Sequence, residues 1–291
     1  MSSPLKVLVA GATGVIGRRV VTLLREEGHE VVGLTRSAAK APALSALGAE
    51  PVVADAYDLD RVLDVVASAA PDVVIHQLTD LGSADVTANA RLRRDGTANL
   101  VAACRAAAVP RMVAQSIAWA YAPTPGPADE RNPLDLTADE PRRTTVEGVA
   151  ALEAAIREMP EGVVLRYGTL YGPDTWFESG SLRAEAATRG DLAADLSVTS
   201  FVHVDDAASA AVQALEWQPG TYNVVDDEPA AGEQWVPDFC RFVGVPTPEP
   251  SAQRVPWASG ATNASARRQG WHPIHPTWRG NWGAGSAGAH T

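Results

Sequence analysis

Short runs of β-branched apolar residues recur along this chain, each followed by a stretch with helical apolar spacing. That alternation limits the possible folds more than any other feature. Residues 5–10 (LKVLVA), 29–35 (HEVVGLT), 50–55 (EPVVAD), 71–78 (PDVVIHQL), 110–116 (PRMVAQS) and 161–168 (EGVVLRYG) read as strands. Residues 14–28, 38–48, 58–70, 84–108 and 144–159 read as helices, the third capped by Asp58. Strands this uniformly apolar are covered on both faces. The expected fold is α/β, a Rossmann-type doubly wound parallel sheet with a small C-terminal substrate-binding region. Beyond it, residues 200–215 read as a strand running into a helix, 220–226 as a strand and 232–244 as a helix. Residues 119–143, rich in Pro, Asp and Ala, make a long surface connection. The expected division is a dinucleotide-binding domain over 1–168 with returning segments at 198–226, a substrate-binding region over 169–197 and 227–280, and a disordered tail over 281–291.

The 291 residues are 46% hydrophobic and 20% charged, ordinary for a globular chain with ample core. A net charge of −11 excludes a dedicated nucleic-acid or anionic-membrane binder. No apolar run approaches the roughly 18 residues of a spanning helix, and the N-terminus lacks a signal pattern, so a cytoplasmic location is expected. Cys104 and Cys240 lie in apolar helical contexts and read as buried reduced thiols.

VLVAGATGVIGRRV sets Gly11, Gly14 and Gly17 between the first strand and the first helix. Glycines there permit a tight turn, close approach of backbone to a pyrophosphate and close helix–strand packing. Thr13 can donate its hydroxyl to phosphate. The free N–H groups of Val15, Ile16 and Gly17 at the helix start favour an anion. NAD-preferring enzymes carry Asp or Glu about 20 residues further on. This chain has Arg36 beside Ser37, and Arg18 just after the loop. Guanidinium groups suit a 2′-phosphate, so NADPH (NADP) is the expected cofactor.

Several motifs in order resemble the extended short-chain dehydrogenase/reductase family from Val7 to about Arg279. VLVAGATGVIG is similar to its cofactor loop, VVAD to the segment meeting adenine, VVIHQLTD to its HxAA-type strand end, and GTANLVAAC to GTxNLLEAA. LRYGTLYGP, FVHVDDAASA and YNVVDDEP resemble later family motifs. The resemblance implies cofactor contacts from Asp55, Ala56, Gln77, Leu78, Asn99, Tyr167 and Gly168, with His76 packed nearby. Family members often dimerise through the helices around 84–108 and after 144, and monomer and homodimer both remain open here.

The resemblance breaks at the catalytic positions. The family's tyrosine, lysine and serine positions fall on Thr145, Val149 and Ile117, with Ser116 one residue before the last and a possible helper. An aliphatic hydroxyl cannot replace a phenol as an acid. Losing general-acid catalysis costs ~10² to 10⁴ in rate, while positioning of a hydride donor contributes about 7 to 11 kcal/mol. Two readings follow. In one, the chain is an NADPH-dependent ketoreductase of a polycyclic aromatic polyketide, similar to atypical angucyclinone ketoreductases of antibiotic biosynthesis. The substrate or solvent then supplies the proton, and Thr79, Ser116, Ile117, Ala118, Trp119, Tyr121, Thr145, Trp176 and Phe177 line its slot. In the other, the chain binds NADPH silently as a sensor or scaffold. His203 has a suitable pKa class for an acid but sits on a packing strand. HPIHP at 272–276 offers two histidines without carboxylate or cysteine partners, so no metal is expected.

Overall fold

The structure is a computed structural model that describes residues 3–80 and 85–283. It has the expected α/β architecture. A seven-stranded sheet has the order β10-β6-β5-β4-β1-β2-β3. Its strands are β1 (Lys6–Ala10), β2 (Glu30–Thr35), β3 (Glu50–Val53), β4 (Val73–His76), β5 (Arg111–Ile117), β6 (Glu161–Tyr167) and β10 (Gly220–Val224). The pairs β1–β2, β1–β4, β2–β3 and β4–β5 run parallel. The crossover helices are α1 (Val15–Glu26), α2 (Ala41–Ala46), α3 (Leu59–Ala69), α4 (Val86–Arg91), α5 (Thr97–Ala106) and α6 (Arg142–Ile156). Asp58 caps α3 by accepting the Arg61 N–H at 3.0 Å. Pro42 falls in the first turn of α2, where its missing N–H costs nothing.

Two compact units emerge. The first comprises Met1–Ser116, Leu136–Leu165 and Ala208–Tyr222, and the second Ile117–Asp135, Arg166–Ala207 and Asn223–Thr291. The connection over 117–135 and the segment over 198–207 thus lie in the second unit, where the sequence suggested the first. The first unit's core is aliphatic, built from residues such as Leu8, Val32, Val74, Leu100 and Leu152. The second unit's core is aromatic, with Tyr171, Phe177, Phe201, Trp235, Phe239, Trp278 and Trp282 mutually packed.

The helical stretch expected over 84–108 is interrupted. A π-helical turn, Leu92–Gly96, separates α4 from α5. A Cβ on Gly96 would lie 2.8 Å from Leu92 Cδ1, so a larger residue there would shift the Leu92 side chain. The second unit holds short elements that the sequence pattern did not disclose. They include β7 (Thr169–Tyr171), α7 (Leu182–Arg189), β8 (Val198–Thr199) and β11 (Ala230–Ala231), then α10 (Ala264–Arg268). The strand–helix expected over 200–215 is present as β9 (Phe201–His203) and α8 (Val204–Gln213), and α9 covers Gly232–Val243. Of the tail expected to be disordered over 281–291, the described residues 281–283 are packed against the second unit. Trp282 is 1% exposed, stacks on Phe177 at 5.3 Å and donates its indole N–H to Asp238 at 3.0 Å. Residues 284–291 of that expected tail lie outside the described residues.

Among the described residues no helix is long and apolar enough to cross a membrane. Cys104 and Cys240 are free and buried, and burial pushes the Cys104 thiol up to about 12.

Candidate functional site

In the first unit the glycine loop makes a backbone cradle that fits a dinucleotide pyrophosphate. Gly11 has φ +86°, and a Cβ there would stand 2.7 Å from the Gln77 carbonyl oxygen. A Cβ on Gly17 would overlap the Gly11 carbonyl oxygen, so α1 can approach the turn only through glycine. Gly14 caps α1 without a side-chain partner, and no acidic residue occupies the first turn. The amides of Val15, Ile16 and Gly17 therefore open the helix with no anionic side chain to satisfy them. Thr13 Oγ1 lies 3.3 Å from Thr35 Oγ1. Ile16 and Gly17 are buried, whereas Arg18 is half-buried.

Arg36, at the end of β2, is exposed, and its guanidinium lies 3.6 Å from the Asp80 carboxylate. That long, solvated pair leaves the cation mobile. Asp55 accepts the Tyr57 N–H at 3.0 Å and Asn99 donates to the Ala56 carbonyl at 2.8 Å, which fixes the turn after β3. His76 is fully buried. Its Nε2 meets Thr97 Oγ1 at 2.8 Å and its Nδ1 accepts the Leu78 N–H at 3.1 Å. Burial first, then the nearby Arg93 charge, push this imidazole down to about 4, so it stays neutral. Gln77 is buried, and Leu78 and Thr79 are half-buried, on the chain that leaves β4 beside Gly11.

The catalytic positions carry no acid. Thr145 is half-buried and Val149 is fully enclosed. Gly148 beside it lets α6 press onto α4, since a Cβ there would lie 2.8 Å from Ala90 Cα. Ser116, a possible helper by sequence, turns into the interior and donates to the buried Glu153 carboxylate at 2.9 Å. Strand alternation turns Ile117, half-buried, the other way. Ile117 thus faces away from that interior, and the Ser116 hydroxyl is already committed to Glu153.

The second unit holds the remaining expected contacts. Trp119 is 39% exposed and packs against Trp257 at 6.3 Å, while Trp176 is 40% exposed. Sequence reasoning missed Trp257. Nothing near it in the chain resembles a family motif, and only the fold sets it beside Trp119. Phe177, expected to frame a ligand, is instead core. It is 2% exposed and surrounded by Phe201, Trp235, Phe239 and Trp282. Tyr121, expected at the same wall, is also structural. Its hydroxyl donates to Asn223 Oδ1 at 2.6 Å, the Arg166 guanidinium covers its ring, and burial pushes its phenol up to about 12. Ala118 is buried and donates its N–H to the Tyr167 carbonyl, and the Tyr167 hydroxyl donates to the Ala207 carbonyl at 3.1 Å. A Cβ on Gly168 would lie 2.7 Å from the Ser200 carbonyl oxygen, which gives that glycine a packing role.

His275 of the HPIHP segment has a carboxylate neighbour that the local sequence hides. Donor atoms of His203, Asp206 and His275 gather within 4.8 Å. Both Asp206 oxygens already accept backbone N–H groups, from Ile274 at 2.6 Å and His275 at 2.9 Å. The two imidazole rings lie 3.8 Å apart and tilted by 36°, and His203 Nδ1 accepts the Asp205 N–H. These bonds describe a clasp for the C-terminal segment.

The profile of the NAD dependent epimerase/dehydratase family matches residues 7–224. A Streptomyces sp protein named 3-diazoavenalumate denitrifying reductase is 44% identical over 306 residues, covering 96% of this chain and 99% of its own. A 2-alkyl-3-oxoalkanoate reductase of Stenotrophomonas maltophilia (strain K279a) is 33% identical over 110 residues, 38% of this chain and 32% of that protein. The UDP-glucose 4-epimerase of Thermus thermophilus, solved in complex with NAD, shares the fold with a TM-score of 0.73 at 24% identity, covering 94% of this chain and 96% of that one.

Proposed function

This chain belongs to the NAD dependent epimerase/dehydratase family, and from that premise we propose that it reduces an aromatic diazo compound with NADPH and releases dinitrogen. It is an NAD(P)-dependent oxidoreductase, so the silent sensor or scaffold is set aside. The observation that carries the reading is the lost acid: an aliphatic hydroxyl at Thr145 and an enclosed hydrocarbon at Val149. A ketone taking up hydride becomes a strongly basic alkoxide that needs a proton in the transition state. An arenediazonium does not. Its C–N bond breaks as dinitrogen leaves, a C–H bond forms, and the hydride's two electrons are consumed. Where a ring oxygen is conjugated with the diazo group, the product is a phenolate, which water protonates. The name of the Streptomyces relative, similar over nearly its whole length, supports a diazo substrate.

The dinucleotide supplies hydride when bound. The chain's part is to hold it and keep the acceptor dry. The Gly11–Gly17 loop and the open N-terminus of α1 bind its pyrophosphate, Arg36 receives the 2′-phosphate, and Asn99 steadies the turn at Ala56. Thr145 and Ile117 offer partly exposed, non-acidic surface, and Trp119 with Trp257, their rings tilted by 42°, offers an aromatic face to a planar substrate.

That aromatic face also favours a second reading, reduction of an angucyclinone-type ketone whose adjacent phenolic hydroxyl delivers the proton. The two separate cleanly when the enzyme is given NADPH deuterated at the transferable position, with an ortho-diazophenol in one arm and a hydroxylated polycyclic quinone in the other. The diazo reading expects deuterium on the ring carbon that lost nitrogen, with dinitrogen and NADP formed in equal amounts. Deuterium in a carbinol, or nitrogen release that leaves NADPH unoxidised, overturns it.

A further inference from the structure

The first unit contains a cation that its own residues leave bare. Arg93 lies in the π-helical turn Leu92–Gly96 and is 5% exposed. Among the described residues no carboxylate offsets that burial. Desolvation alone acts on the guanidinium, drawing it down to about 10. Its neighbours Arg91 and Arg94 differ: both are exposed and both pair with Asp95. A buried charge without a counter-charge is among the costliest features a fold can keep, and proteins retain one where a ligand completes it. π-turns also concentrate at functional positions.

The surroundings indicate what completes it. Thr97, one turn beyond Arg93, holds His76 at 2.8 Å, and the Arg93 charge reaches that imidazole. His76 pairs with Ala10 across β1 and β4, directly before the Gly11 turn. The same turn of helix packs on α6, where Gly148 meets Ala90 and the family's lysine position holds Val149. By the family resemblance, α6 thus carries a hydrocarbon where a cation is usual, while the facing helix buries the Arg93 cation.

We propose that Arg93 is an anion-binding residue that receives a negatively charged oxygen of the bound ligand. Two sources share this chemistry: a phosphate of the dinucleotide and the phenolate oxygen of the reduced substrate. The assignment rests on the reading that this unit binds a dinucleotide, and the experiment separates the two claims. Wild type, Arg93→Met and Arg93→Lys are compared for thermal midpoint without ligand, for NADPH affinity, for protection by inorganic pyrophosphate, and for kcat and KM with the diazophenol. Arg93→Met should melt at a higher temperature than wild type without ligand, because an apolar side chain of similar length relieves the buried charge. It should also lose at least tenfold in one ligand term, with Arg93→Lys recovering part of it. A loss in NADPH affinity and pyrophosphate protection identifies the phosphate. A loss in kcat at unchanged NADPH affinity identifies the phenolate. If wild type binds no dinucleotide yet pyrophosphate protects it and not Arg93→Met, the dinucleotide reading falls and the anion site stands. A lower melting point in Arg93→Met with every ligand term unchanged makes Arg93 a structural residue and overturns the proposal.

Discussion

Arg36, which we propose receives the 2′-phosphate, would set cofactor choice while adding little to stability. It is exposed and only loosely tied to Asp80 at 3.6 Å, so removing it should leave the fold intact. Charge-assisted hydrogen bonds contribute about 1.5–3 kcal/mol, which makes Arg36→Ala expected to weaken NADPH binding about 10- to 100-fold. NADH binding should change less than threefold, and titration of both nucleotides checks it; equal losses would reject the 2′-phosphate assignment. At this scale the sequence was most legible where the requirement is local. Gly11 needs its left-handed φ of +86° and Gly17 must lack a Cβ because the turn brings it against the Gly11 carbonyl, requirements local enough for the glycine spacing to reveal. Phe177 was misread because its partners Trp235, Phe239 and Trp282 come from far along the chain. Arg93 was overlooked because a charged triplet reads as a solvated helix face until the burial of its middle member is known.

At the scale of elements, β5 and α6 decide where chemistry is absent. Alternation along β5 sends Ser116 inward to Glu153 and turns Ile117 the other way, which favours Ile117 for the serine position that the motif alignment left open by one residue. Ser116→Ala should therefore cost stability, about 1–3 kcal/mol for an under-satisfied buried carboxylate, while turnover per folded molecule stays within about twofold of wild type. Denaturant midpoints and active-site titration measure the two separately, and a large fall in turnover would restore Ser116 to the chemistry. The long strands and helices of the sheet were legible because their periodicity runs for many residues. The short pieces β7, β8 and β11 were not, since two or three residues carry no period. The π-turn before α5 was equally invisible, because the helical spacing on either side of it continues.

Across the whole molecule, one buried carboxyl couples folding to pH. Burial, and then the charges of Glu228, Asp227 and Asp206, raise Asp226 from the ordinary 3.8 to about 8, against a single backbone N–H from Glu228. The folded chain keeps a proton there that the unfolded chain releases near pH 4. Stability from this group is full below that point and declines as pH climbs to about 8. Asp206, also raised by burial, adds to the same trend, and His203 and His275 beside it remain in both variants compared. Asp226→Asn should flatten the fall in denaturant midpoint between pH 4 and 8, and an unchanged slope would place the protonation elsewhere. The hydrocarbon that stands at Val149 has a consequence on a different plane. On the proposed reading, a reductase without that proton donor turns over the everyday aldehydes and ketones of metabolism ~10² to 10⁴ more slowly. Chemoselectivity then comes from omission, with reducing power spent mainly on acceptors electrophilic enough to react unaided.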